Sequence, residues 1–142
     1  VTAYVDTSVL LRVALGQADA LPEWRQVDRG ITSILARVEG LRTVDRLRLR
    51  ARLADAEVAR RRSIILQLLD SLEVVELDSL VLDRAAQPQP TELGTLDAIH
   101  LATALLWRET VDAKLVMATH DLALAIAAEA HGFRVVGVES GR

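Results

Sequence analysis

The chain has no cysteine among its 142 residues. Disulfide frameworks and thiolate metal sites are thereby excluded, and a cytoplasmic home is the natural expectation. Aromatic residues amount to only 3%. Tyr4, Trp24, Trp107 and Phe133 are too scattered to form a base-stacking platform, which excludes an aromatic nucleic-acid reader of the OB or RRM kind. No apolar run approaches the ~20 residues needed to cross a bilayer. The N-terminus has no basic region, and Asp6 and Arg12 interrupt its apolar stretch, so it does not read as a signal peptide. Proline is scarce, and two of the three prolines fall in "QPQPTELG" at 87–94, the clearest loop.

What is present suits a soluble domain. Hydrophobic residues make up 51%, an ordinary globular value, and the length predicts one domain spanning 1–142 with a sizeable core. A net charge of −3 argues against binding polyanions by bulk charge. The charge is uneven, however. Residues 41–62 hold eight arginines against Asp45, Asp55 and Glu57, a net of +5, so the remainder carries −8. Such a segment suits a polyanion or an acidic partner segment. A solvated helix surface has the same appearance, and both readings stay open.

Hydrophobic periodicity alternates between short strands and helices. "TAYV", "EVVEL", "KLVMAT" and "FRVVGV" read as strands, with a strand end at 31–33. "SVLLRVAL" reads as a helix, "LPEW" as a short one, and residues 34–72 as an arginine-rich helix or group of helices. "SLVLDRAA" reads as a helix capped by Ser79, "TLDAIHLATALLW" as a central buried helix, and "HDLALAIAAEAHG" as a helix stopped by Gly132. Strands separated by helices predict an α/β fold with a mostly parallel central sheet and right-handed crossovers.

Four acids stand out. Asp6 and Asp121 follow strands and open helices, so either suits a helix cap. Asp97 lies in the first turn of its helix, where a negative side chain is favoured by ~0.3–1 kcal/mol. Glu39 sits about 40° around its helix from Leu35, an ordinary place for a surface glutamate. Singly, each has a structural explanation. Jointly they suggest more, because the crevice beyond the carboxyl ends of parallel strands is where ligands bind. Asp6 and Asp121 are expected on that edge, Asp97 near the core beside it, and Glu39 on a helix alongside.

Converged carboxylates repel, and burial raises their pKa values further. A compensating cation is then needed, and oxygen ligands favour Mg²⁺, with Mn²⁺ able to substitute. Such a site polarises a phosphodiester and lowers the pKa of a bound water. Thr7, Ser8 and Thr119 place hydroxyls beside two of the acids, either to orient carboxylates or to cap helices, with capping favoured for Thr7 and Thr119.

The stretches "YVDTSVLL" at 4–11, "SILARVEGLR" at 33–42, "LGTLDAIHLATAL" at 93–105 and "ATHDLALA" at 118–125 resemble the PIN-domain ribonucleases, most closely the VapC-type toxins of toxin–antitoxin pairs. The resemblance spans nearly the whole chain. It implies a PIN-like three-layer α/β/α fold and Mg²⁺- or Mn²⁺-dependent hydrolysis of RNA. The family's four acids fall on Asp6, Glu39, Asp97 and Asp121, and its hydroxyl on Ser8. Asp6, Asp97 and Asp121 are then the expected metal ligands, with Glu39 on a second metal or on the attacking water and Thr119 in support. The resemblance also implies a homodimer and a cognate antitoxin occupying the groove. Arg42, Arg46 and Arg50 are expected to meet RNA phosphates or acidic antitoxin side chains.

Three histidines are read as structural. His100, three residues after Asp97, is expected as a core histidine with one hydrogen bond. His120 is expected in a turn, and His131 as a cation suited to a helix end. Other readings are a non-catalytic interaction module on the same scaffold, or another metal-dependent phosphate enzyme. A haloacid-dehalogenase-like phosphatase would want an acid where Ser8 stands, and a receiver domain a lysine at the far end of the strand that Lys114 begins.

Overall fold

The computed structural model describes residues 1–17 and 20–138. Five strands form one parallel sheet: β1 (Thr2–Val5), β2 (Arg29–Ser33), β3 (Glu73–Val75), β4 (Val116–Ala118) and β5 (Val135–Val136), in the order β3-β2-β1-β4-β5. The chain steps outward from β1 to β2 and β3, then returns to the other side of β1 for β4 and β5. Right-handed crossovers therefore place the helices of the first half on one face and those of the second half on the other.

The first face carries α1 (Thr7–Ala14), α2 (Leu35–Ala51) and α3 (Asp55–Asp70). Ala3 and Val5 of β1 point into this layer with Val116 and Ala118, where they meet Leu10, Val44 and Ile65. The opposite face carries α4 (Ser79–Ala85), α5 (Thr95–Thr110) and α6 (Leu122–Ala130). There Tyr4, Ile31 and Met117 pack on Leu101, Leu105 and Leu124. The period of two along β1 thus divides the core into two halves. This is the three-layer α/β/α arrangement that the resemblance implies, built on the parallel sheet that the alternation of elements predicts. Among the described residues no helix is long and apolar enough to cross a membrane.

Several local expectations need correction. The strands are shorter than the apolar runs: "EVVEL" pairs only over Glu73–Val75, "KLVMAT" over Val116–Ala118 and "FRVVGV" over Val135–Val136. Hydrophobicity marks burial, whereas a strand extends only as far as its neighbours supply hydrogen bonds. The short helix expected around "LPEW" is present, as a 3₁₀ helix over Pro22–Gln26. The arginine-rich block is, as expected, more than one helix: two form a hairpin, broken where Arg52 takes φ 51°. Asp78, not Ser79, caps α4: its Oδ1 accepts from the Val81 N–H at 3.0 Å. The carboxylate reaches the third residue ahead, and Ser79 is already inside the helix.

Candidate active site

Asp6 follows β1 directly, and its backbone N–H donates to the Ala118 carbonyl of β4 at 3.0 Å. The acid therefore stands where the order of the sheet reverses, the position at which open parallel sheets bind ligands. Its side chain makes no helix-capping bond, although it occupies the cap position of α1. Instead Oδ2 accepts from Ser8 Oγ at 2.7 Å and from Thr119 Oγ1 at 2.8 Å. Only 4% of Asp6 is exposed, and its Oδ1 lies 3.6 Å from His100 Nε2.

Those hydroxyls are themselves held. Ser8 Oγ accepts from the His120 N–H at 3.0 Å, and Thr119 Oγ1 from the Asp121 N–H at 3.0 Å. The loop after β4 is therefore clasped to the loop after β1. Thr119 orients a carboxylate rather than capping α6, a cap that Asp121 supplies through Oδ1 to the Leu124 N–H at 3.0 Å. Thr7 does not cap α1 either. Its hydroxyl donates to Glu39 Oε1 at 2.8 Å, because Glu39, one helical turn into α2, leans across α1 toward the strand end.

Asp97 enters from the opposite layer, in the first turn of α5. Gly94 occupies the cap position there with no side-chain bond. Asp6, Glu39, Asp97 and Asp121 all line one cleft of roughly 420 Å³, together with Ser8, Arg42 and Arg46. Arg50 lies one turn further along α2, exposed and outside the cleft lining. Val38 and Leu96, 57% and 51% exposed, form apolar rims on either side. The cleft thus combines acids at its floor, two guanidiniums on one wall and apolar lips.

The electrostatics record the convergence. Desolvation, then the fields of Asp121 and Asp6, push the Asp97 carboxyl up to about 6. Glu39 moves the other way: burial opposes its charge, but hydrogen bonds from His100 and Thr7 hold it below the ordinary carboxylate range. Three carboxylates thus load their field onto the fourth. The donors are hard oxygens, suited to Mg²⁺ or Mn²⁺. Among the described residues no three acidic or histidine side chains close into a ready-made metal cage. Mg²⁺ keeps several of its waters and needs only one or two carboxylates directly, so the open cleft fits it.

His100 departs from its expected single bond. It is 1% exposed and has three hydrogen-bond partners, Tyr4 Oη at 2.6 Å from Nδ1, Glu39 Oε1 at 2.6 Å from Nε2, and Thr7 Oγ1 at 3.2 Å from Nε2, and its Nε2 also lies 3.6 Å from Asp6 Oδ1. Burial opposes the imidazolium, but the Glu39 bond and the field of Asp6 outweigh it and raise the pKa. The signal available in the sequence was spacing: His100 is one turn beyond Asp97 on α5, and Tyr4 is two residues before Asp6 in β1. His120 does sit in a turn, with Nδ1 2.7 Å from the Gly137 carbonyl. His131 is not the helix-end cation expected of it. Burial and the nearby Arg108 and Arg84 lower its pKa, and Nε2 meets Gln89 Oε1 at 3.0 Å.

Comparison with known proteins agrees with this architecture. The PIN domain family model matches residues 3–129. Ribonuclease VapC46 of Mycobacterium tuberculosis is 36% identical over 104 residues, covering 71% of this chain and 72% of its own length. Among solved structures, a toxin–antitoxin complex from Klebsiella pneumoniae superposes with a TM-score of 0.62 at 20% identity, covering 84% of this chain and 86% of the other. VapBC2 from Rickettsia felis, bound to a DNA fragment from their promoter, superposes with a TM-score of 0.61 at 10% identity, covering 95% and 97%. A parallel sheet in the order 3-2-1-4-5, acids gathered at its switch point and a family match over most of the chain lead to one assignment: this protein belongs to the PIN-domain family, among its VapC-type members.

Proposed function

We propose that the protein is a divalent-metal-dependent endoribonuclease, the toxin of a toxin–antitoxin pair. The observation that carries this reading is the meeting of Asp6, Glu39, Asp97 and Asp121, from four separate elements, in one cleft where Asp97 is pushed up to about 6. Helix capping explains Asp121, but nothing in capping requires the other three to converge.

Asp6, Asp97 and Asp121 would hold Mg²⁺ or Mn²⁺. When bound, the ion supplies charge neutralisation at the scissile phosphate and an activated water. The chain's own groups do the rest. Ser8 and Thr119 hold Asp6 through Oδ2, which leaves Oδ1 for the ion. Glu39, ionised and held through Oε1 by Thr7 and His100, keeps Oε2 for orienting the attacking water. Arg42 and Arg46 on the cleft wall draw RNA phosphates in and position the strand. Arg50 extends that charge along α2 for longer RNA or for acidic antitoxin side chains. The similarity to VapC46 and to toxin–antitoxin complexes supports an RNA substrate and an antitoxin that blocks the cleft. A homodimer working in the cytoplasm belongs to the same proposal.

The test is cleavage of RNA by the purified protein. Mg²⁺ or Mn²⁺ should support it, and EDTA should stop it. Asp6→Asn should lower the rate by about 10²-fold or more while the melting curve stays cooperative, since Asp6 caps no helix. Absence of cleavage of total cellular RNA with either metal would instead leave an interaction module on a PIN scaffold.

A further inference from the structure

Four polar groups beneath the cleft form one chain that runs inward from Glu39. Tyr4 is fully buried, burial with the field of Asp6 keeps its phenol protonated, and Oη is hydrogen-bonded to His100 Nδ1 at 2.6 Å. The ionised Glu39 can only accept, so Nε2 carries a proton whether the ring is neutral or protonated at both nitrogens. Nε2–H then donates to Glu39 Oε1 at 2.6 Å, with a weaker branch toward Thr7 Oγ1 at 3.2 Å. The Thr7 proton goes to the same Glu39 oxygen at 2.8 Å. Both donors reach the same glutamate oxygen, and among the described residues no hydrogen bond is made to Oε2.

We propose that His100 is a positioning residue that locks Glu39 by a single oxygen, with Tyr4 as its anchor, so that the other oxygen is presented to the water and metal of the active site. This rests on the nuclease reading given above. A half-buried glutamate on a helix has three rotatable side-chain bonds and a nearby guanidinium in Arg46 to draw it off. Two donors converging on Oε1, one of them 1% exposed and itself anchored, remove that freedom. Groups that hold a reacting carboxylate from behind contribute about 10- to 100-fold in activity or metal affinity.

The experiment compares His100→Phe, which keeps a ring in the cavity but has no donor, with His100→Gln, whose amide nitrogen can reproduce the Nε2 donor. His100→Phe should lower kcat by about 10- to 100-fold with KM changed less than about twofold, and His100→Gln should recover most of that loss. Two readouts do not depend on turnover. In wild-type protein without metal, nitrogen-resolved proton NMR should show a strongly downfield His100 Nε2–H resonance that moves upfield in Glu39→Gln. Titration with Mn²⁺ alone, followed by calorimetry, should show weaker binding to His100→Phe than to wild type. Equal kcat and equal Mn²⁺ affinity in wild type and His100→Phe would overturn the proposal, as would a His100 resonance insensitive to Glu39→Gln. If His100→Phe fails to fold, His100→Gln and the wild-type resonance decide it. A wild-type protein that cleaves no RNA yet shows the coupled resonance and Mn²⁺ dependence would refute the nuclease reading while leaving the positioning role standing.

Discussion

Asp97 carries the clearest consequence of bringing acids together. Its folded-state pKa of about 6 lies above the ordinary 3.8, so between those values the folded protein binds more protons than the unfolded chain. Stability without metal must therefore fall as pH rises through that window and stay reduced above it. At ~1.4 kcal/mol per pKa unit the ceiling is about 3 kcal/mol, and screening at this half-exposed position brings it to about 1 kcal/mol. Asp97→Asn should accordingly raise the melting temperature in EDTA at pH 7.5 by about 3 °C, change it little at pH 4, and remove nuclease activity. Thermal melts of both proteins at the two pH values check this. A mutant that melts lower at pH 7.5 would show that Asp97 serves α5 rather than a metal. Asp6 and Asp121 differ in this respect. Asp6 is held by hydroxyls and caps nothing, while Asp121 both faces the cleft and caps α6, so Asp121→Asn is the clean variant and Asp121→Ala is not.

At the scale of the element, two helices make separable predictions. Asp78→Ala should destabilise the protein by about 1 kcal/mol through loss of the α4 cap, and Ser79→Ala by less than about half of that; urea denaturation of both variants distinguishes them. Helix α2 has a different role, since its first turns supply Glu39 and its next two supply Arg42 and Arg46 to the cleft wall. Part of the basic segment is neutralised locally, as Asp45 meets Arg42 and Arg48, and Glu57 meets Arg60 and Arg61. The solvated-surface reading suits Arg60 and Arg61 of α3, whereas Arg42 and Arg46 of α2 also line the cleft. In an Asp6→Asn background, Arg46→Ala should flatten the dependence of log K for single-stranded RNA on log salt by about 0.7. Fluorescence anisotropy across a salt series measures that slope, and Arg62→Ala, outside the cleft, should leave it unchanged.

The whole molecule is tied together at the C-terminal edge of the sheet. Thr119 donates its N–H to Val136 at 3.0 Å, and His120 meets the Gly137 carbonyl at 2.7 Å. Gly137 has φ 104°, and a Cβ there would overlap the Thr119 carbonyl oxygen. Gly137→Ala should therefore cost about 1–3 kcal/mol of stability and also lower activity, because Thr119 positions Asp6. Denaturation and cleavage assays on one preparation would show both losses. An activity loss without a stability loss would mean that the strain is absorbed in the loop after β4.

The alternation of strands and helices, the two-proline loop and the placement of Asp6 and Asp121 after strands follow from local pattern. Periodicity and turn chemistry act over a few residues, so the sequence by itself determined the α/β class and marked the acids as candidates. Strand lengths were less legible, since "FRVVGV" pairs over only two residues, and the capping of α4 by Asp78 hinged on a reach of three residues that composition does not display. What only the tertiary structure decided is the meeting of distant groups. Glu39 comes from the layer on one face and Asp97 from the layer on the other, and they meet because the sheet reverses its order between β1 and β4. His100 looked like an ordinary core residue until Tyr4, Thr7 and Glu39 were placed around it. Those contacts join positions 32 to 96 residues apart, and no pattern in a single chain reports a distance of that kind.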